Sequence, residues 1–128
     1  MRVMRLILPY PVSANRYWRI WRNRAVRSAE AAAYKSVVRR IAQEAGAVPS
    51  EGSVAVCLRL IPKANKDGGA NKTVIDLDNA LKVPLDPLHG VAYHNDRQVR
   101  RIAAEYDSEP VAGGGLAVEI EELEECLN

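Results

Sequence analysis

The stretch "SVAVCLRLI", residues 53 to 61, most narrows what this chain can fold into. It is β-branched and aliphatic, alternates only weakly between apolar and polar residues, and is closed by Pro62. Such a run reads as a strand covered on both faces, so it predicts a central strand in a sheet that carries helices. With 128 residues, the chain can bury one core of this kind and is too short for two ordinary ones, so residues 1–128 read as a single domain.

The flanking segments supply the rest of the sheet and its cover. "VMRLILP" (3 to 9) is a strand-length apolar run ended by proline. Ser28 can cap a helix that continues through strong helix formers to about residue 45, where Gly46 offers a stop. Ala33, Val37, Ile41 and Ala45 recur every four residues, with Tyr34 and Val38 adjoining, and predict the stripe that meets the sheet. "PKANKDGGANKT" (62 to 73) has the composition of a mobile loop. A second helix is expected through "NALKVPLDPL", capped by Asp76 or Asp78 and ended or bent by Pro84. "QVRRIAAEY" (98 to 106) and "LAVEIEEL" (116 to 123) read as a terminal antiparallel pair across a turn with Pro110 and three glycines, the final glutamates forming a solubilising edge and tail. The order predicts an α+β fold, a mixed sheet of about four strands packed against two or three helices.

Composition narrows the function class. An apolar fraction of 48% and a charged fraction of 27% are those of a globular protein, and no apolar run nears the roughly 18 residues of a membrane span. The N-terminal apolar run stops at Pro9 without a small-residue cleavage pattern, so a cytoplasmic protein with no membrane partner is expected. Cys57 and Cys126 stand far apart without a CxxC partner, which argues for reduced thiols and against a structural zinc.

The net charge of +2 conceals an asymmetry: residues 1 to 40 hold ten Lys and Arg against one Glu, and the remaining 88 carry a net of −7. A basic end of this kind is either a solvated helix face or the footprint of an anionic partner, most often nucleic acid. In "PYPVSANRYWRIWRNRAVR" (9 to 27), Tyr17, Trp18 and Trp21 interleave with Arg16, Arg19, Arg22, Arg24 and Arg27. The tryptophans can cap the core, and arginines among aromatics can also stack on bases and pair with phosphates, so a binding loop of mixed role is expected.

The chemistry concentrates in "KTVIDLDNALKVPLD" (72 to 86). If the chain is extended before the helix, Asp76 and Asp78 point the same way and offer two carboxylates to one hard cation. Asp96 in "HNDRQV", just before the next strand, is the candidate for a third. Asp78, Lys82 and Asp86 are spaced four apart on one helix face, where Lys82 can neutralise charge on a phosphoryl transition state. The same spacing also suits a surface salt-bridge ladder worth a few tenths of a kcal/mol, roughly, per pair. An EF-hand fails because Ala80 and Leu81 stand where a ligand and a glycine are needed. A haloacid-dehalogenase-type phosphatase fits poorly, with a Gly/Lys-rich loop before Asp76 and only 52 residues after it. His94 lies near Asp96 in sequence, and His89 is the other histidine; a lone loop histidine is more often solvated than functional.

With these residues assembled, the chain resembles the RusA family of Holliday-junction endonucleases over nearly its whole length. "LPYPVSANRYWR" is similar to the family's proline-rich turn followed by Asn-Arg-aromatic, carried by Pro9, Pro11, Ser13, Asn15, Arg16 and Trp18. "DLDNALK" and "HNDRQV" match its acidic blocks in order and spacing. The resemblance implies a homodimer, common in phages and prophages, that serves DNA recombination and repair. It would bind four-way junctions and make paired symmetric nicks with Mg²⁺, Mn²⁺ substituting. Carried over by position, Asp76, Asp78 and Asp96 would be the catalytic, metal-holding carboxylates and Lys82 the catalytic lysine. Asn15, Arg16, Arg19, Arg22, Arg24 and Arg27, with Lys63, Lys66 and Lys72, would supply DNA contacts. Two departures stand out: Asn95 replaces the first member of the family's acidic pair, and the loop before "DLDN" has scattered lysines where the family is often arginine-rich. They motivate an alternative, a branched-DNA binding module with weak or no cleavage. Asp86 is left as a ligand, a salt-bridge partner or neither.

Overall fold

The computed structural model describes residues 2–12, 18–71, 77, 80 and 83–123, apart from the side chains of Arg19 and Trp21. The elements run β1 (Val3–Leu8), β2 (Trp18–Trp21), β3 (Arg24–Arg27), α1 (Ala29–Glu44) and β4 (Val54–Ile61). There follow the one-turn helix α2 (Leu85–Leu88), a 3₁₀ turn (Asp96–Gln98), β5 (Val99–Tyr106) and β6 (Gly115–Glu122). β1, β6, β4 and β5 form a mixed sheet in that order, antiparallel at the first two junctions and parallel between β4 and β5. This is the α+β architecture expected, with β4 in the interior of the sheet.

Three expectations about the sheet are corrected. The two C-terminal strands are not paired, because β4 lies between them. β6 is therefore an interior strand, and its glutamates do not line an edge: Glu119 bonds Arg5 Nε at 3.0 Å, and Glu121 sits 4.0 Å from Arg101. Nor is β4 covered on both sides. Val54, Val56, Leu58 and Leu60 are buried, whereas Cys57 and Arg59 are exposed. The weak alternation arose because small residues sit on the open face; Ala55 is only 1% exposed beneath the Arg101 and Glu121 side chains that flank it.

The covered face carries the core. α1 starts where Ser28 Oγ accepts from Ala31 N at 3.1 Å, as the sequence suggested. Its buried stripe is Ala31, Tyr34, Val38 and Ala42, a set rotated by one residue from the expected one, with Ala33 and Ala45 exposed. Alanines at both ends of the stripe let the helix approach the sheet closely, and Tyr34 supplies the bulk between them. Its hydroxyl donates to Pro9 O at 2.8 Å, tying α1 to the exit of β1, and burial pushes the phenol well above its usual range.

Two segments read as loops contain more order. Trp18–Trp21 and Arg24–Arg27 pair as a hairpin whose Arg22 and Asn23 both have positive φ, 51° and 60°, as a two-residue turn matched to strand twist requires. Residues 63–71 form a closed turn, with Asn71 N donating to Lys63 O and Asn65 N to Gly69 O, both at 2.7 Å. Leu77 and Ala80 are helical, and Val83 and Pro84 turn the chain into α2, consistent with a proline bend. No helix among the described residues is long and apolar enough to cross a membrane.

This one-sided arrangement has a measurable consequence. Leu58→Ala should cost about 2–5 kcal/mol in denaturant unfolding, while Cys57→Ala next to it should change stability by less than about 0.5 kcal/mol. Equal losses at both positions would contradict a sheet with one open face.

Candidate active site

β4 and β5 are parallel, so their N-terminal ends lie side by side, and the approach to β5 carries Asp96. A bridge joins Ser50 to Tyr93, and the ladder begins at Val54 and Val99, with a register shift before the next pair, Ala55 and Arg101. Three residues, 51–53, connect these points on one side and five, 94–98, on the other. The longer segment must bow outward, and Asp96 is its middle residue.

The bow is held by its own side chains. Asn95 is the N-cap of the 3₁₀ turn, its side chain accepting from Arg97 N at 2.9 Å. Gln98 closes a capping box: its Oε1 accepts from Asn95 N at 2.8 Å and from His94 N at 2.7 Å. His94 Nε2 lies 2.9 Å from Glu51 Oε1 across the mouth of the bow. Asp96 is exposed, and its carboxylate makes no hydrogen bond or ion pair with another described residue. A carboxylate held this way, open and unpaired, suits a hard cation that keeps part of its water shell. Among the described residues alone, no group of three His, Cys, Asp or Glu could hold a metal.

Behind Asp96 stands Tyr93, fully buried, whose hydroxyl donates to Leu85 O at 2.7 Å. Burial raises its phenol far above the usual value, and the charges of Asp96 and then Asp86 raise it further, so both carboxylates lie within electrostatic reach of one ring. Tyr93 thus ties the bow to α2, the turn that follows "DLDNALK" in the chain. Leu77, Ala80 and Val83 from that stretch belong to or pack against the same core.

Asp86 has a structural assignment. Arg27 Nη1 is 3.4 Å from both of its oxygens and Lys35 Nζ is 3.9 Å from one, so it joins the β2–β3 hairpin, α1 and α2. Beside it, Arg39 Nη2 donates to His89 O at 3.1 Å. Lys35, Arg39 and Arg40 wall a shallow, cationic trough on α1 over Ala32 and Ser36.

Of the other candidate residues, Asp76, Asp78, Lys82, Asn15, Arg16 and Lys72 lie outside the described residues, as does the Arg19 side chain. Arg22 and Arg24 are exposed on the hairpin, and Arg27 is engaged by Asp86. Lys66 is exposed on the 63–71 turn, and Lys63 Nζ lies 4.8 Å over the Tyr10 ring. Both lysines follow the C-terminal end of β4, whereas Asp96 stands at its N-terminal end, a strand length of roughly 25 Å away. Sequence reasoning missed Gln98 and Tyr93 as supports. The spacing Asn95-x-x-Gln98 was a capping-box signal that could have disclosed the first.

A search of curated proteins finds no match. The family model described as Endodeoxyribonuclease RusA matches residues 9–121, a span that takes in the hairpin, α1, "DLDNALK", the Asp96 bow and most of the sheet. The chain belongs to the RusA family of endodeoxyribonucleases.

Proposed function

We propose that this protein is a metal-dependent nuclease that resolves four-way DNA junctions by paired, symmetric nicks, in recombination and repair and of phage or prophage origin. The observation that carries the reading is the exposed Asp96 carboxylate, unpaired among the described residues, on a braced turn tied to α2, which follows the "DLDNALK" segment. Asp76, Asp78 and Asp96 together would hold the cation, Mg²⁺ or Mn²⁺. When bound, that ion supplies Lewis-acid polarisation of the scissile phosphate and lowers the pKa of water. Lys82 would place its ammonium against the charge that grows on the phosphoryl oxygens. The products would carry a 5′-phosphate and a 3′-hydroxyl.

DNA positioning falls to the cations. Arg22 and Arg24 project from the hairpin and Lys66 from the turn beyond β4; with Asn15, Arg16, Arg19, Arg27, Lys63 and Lys72 they would grip phosphates rather than read bases. The strand length of roughly 25 Å between Lys63 and Asp96 is shorter than one turn of duplex, about 34 Å, so one junction arm can span both. A symmetric junction needs two cuts related by a two-fold axis, which a C2 homodimer supplies with one site per protomer. Asn95 in place of an acidic residue keeps the 3₁₀ turn capped, because asparagine and aspartate serve about equally as N-caps.

The test uses a labelled mobile four-way junction and a linear duplex of the same sequence, with Mg²⁺ or EDTA. The wild type should nick the junction symmetrically, only with metal. Asp96→Asn should bind it with similar affinity but cut roughly 100-fold more slowly or worse, the scale on which one transition-state group acts. Tight binding without cuts in Mg²⁺ or Mn²⁺ would identify a binding module instead. Separately, an Arg22→Ala/Arg24→Ala pair should weaken junction binding regardless of sequence. It should also lower the slope of log affinity against log salt by about 1–2; an unchanged slope would remove the hairpin from the DNA path.

A further inference from the structure

We propose that Gln98 is a positioning residue: it fixes the direction of the Asp96 carboxylate, and so sets how tightly the site holds its divalent cation. The inference rests on the reading of Asp96 as a ligand and adds a residue to which that reading gives no role.

The argument begins with hydrogen-bond capacity. A glutamine amide can accept two bonds and donate two, and Gln98 makes all four. Oε1 accepts from His94 N at 2.7 Å and Asn95 N at 2.8 Å; Nε2 donates to Ser50 O at 2.7 Å and Gly52 O at 2.8 Å. A capping box alone needs only the bond from Asn95 N. The other three reach along the bow and across to residues 50–52.

Fold maintenance does not account for those three bonds. The two chain segments are already joined on either side, by the Val54–Val99 ladder and by the Ser50–Tyr93 bridge with its Ser50 N to Ala92 O bond at 2.9 Å. Between those joints the five-residue bow has no strand partner, and it is there that Gln98 spends its amide. Its bonds lock the rotation of residues 94–98 against the base of β4, and the exposed carboxylate they carry at the middle of the bow is that of Asp96. Tyr93 fixes the same segment from the other side through Leu85 O. The bow is thus held both to the sheet and to the turn following the other proposed carboxylates.

The physical consequence concerns metal affinity more than folding. A cation that requires near-octahedral oxygen geometry loses binding when one carboxylate must be ordered at the moment of coordination. Loss of a group that orients a metal ligand costs typically about 10- to 100-fold in affinity. DNA contacts made elsewhere on the surface should be untouched.

Full-length wild type and Gln98→Met, which keeps length without the hydrogen bonds, should be titrated with Mn²⁺ while unbound ion is followed by electron paramagnetic resonance. Junction affinity is measured in EDTA, and amide exchange at His94 and Asn95 is followed in parallel. The expected result is a midpoint raised about tenfold or more, faster exchange at both amides and junction affinity within about twofold of wild type. Lower thermal stability with an unchanged Mn²⁺ midpoint would overturn the inference and reduce Gln98 to a brace, leaving the nuclease reading intact. Absence of Mn²⁺ binding by the wild type would overturn both. Should Gln98→Met fail to fold, Asn95→Ala, which removes the cap bonds to Arg97 N and Gln98 N but leaves the Gln98 amide in place, decides: its midpoint should rise in the same direction by a smaller factor while Asn95→Asp, which keeps the cap, shows no rise. An unchanged Asn95→Ala midpoint would count against the proposal.

Discussion

Burial of Val54, Val56, Leu58 and Leu60 on one face of β4 orders most of this molecule. Those side chains are each worth roughly 1.5–3 kcal/mol when removed from water, and α1 must lie across them for that gain to be realised. Once β4 is the spine, β6 can join it antiparallel on one side while β5 joins it parallel on the other. A parallel neighbour cannot be reached by a short turn, so the chain between β4 and β5 has to travel back along the sheet. That return carries "DLDNALK", α2 and the Asp96 bow, and brings the bow to the N-terminal end of β4. The candidate chemistry therefore follows from strand order.

The same return explains the charge pattern. Asp86 sits where hairpin, α1 and α2 converge, and it is satisfied by Arg27 and Lys35. With 23% of its side chain exposed, this carboxylate is occupied by cations, whereas Asp96 is exposed and has no partner among the described residues. Two acids in nearby sequence thus divide into a structural one and a candidate functional one by environment. On the far side of the sheet, the Arg5–Glu119 and Arg59–Asp107 pairs lie on the solvent-facing surface, where such pairs add little stability. Asp107 is held below the usual carboxylate range first by the backbone amide of Glu109 and also by Arg59.

Much of this was legible in the sequence. The strands, the long helix and its Ser28 cap depend on local signals, and they fall within a residue or so of the expected limits. Asp96 was singled out because it lies just before a strand. What escaped was non-local. Nothing near residues 98–123 says that β4 will insert between the last two strands, since that choice rests on where the apolar face of a distant strand is buried. The α1 stripe was read one residue off because alanines carry little periodic signal, and Tyr34 with Val38 decided the face. The hairpin was hidden because its turn uses Arg22 at positive φ, a poor residue for the position. Gln98 was quoted as part of a motif, but its four partners come from two loops that only the fold brings together.

The central claim is that Asp96 on its braced bow meets Asp76 and Asp78 at one cation. Crystals of the full chain grown with Mn²⁺ and measured for anomalous scattering test it most directly. The account predicts a peak with carboxylate oxygens of Asp76, Asp78 and Asp96 at coordination distance, about 2.0–2.6 Å. A Mn²⁺ peak held by other residues, or by Asp76 and Asp78 with Asp96 pointing away, would contradict it.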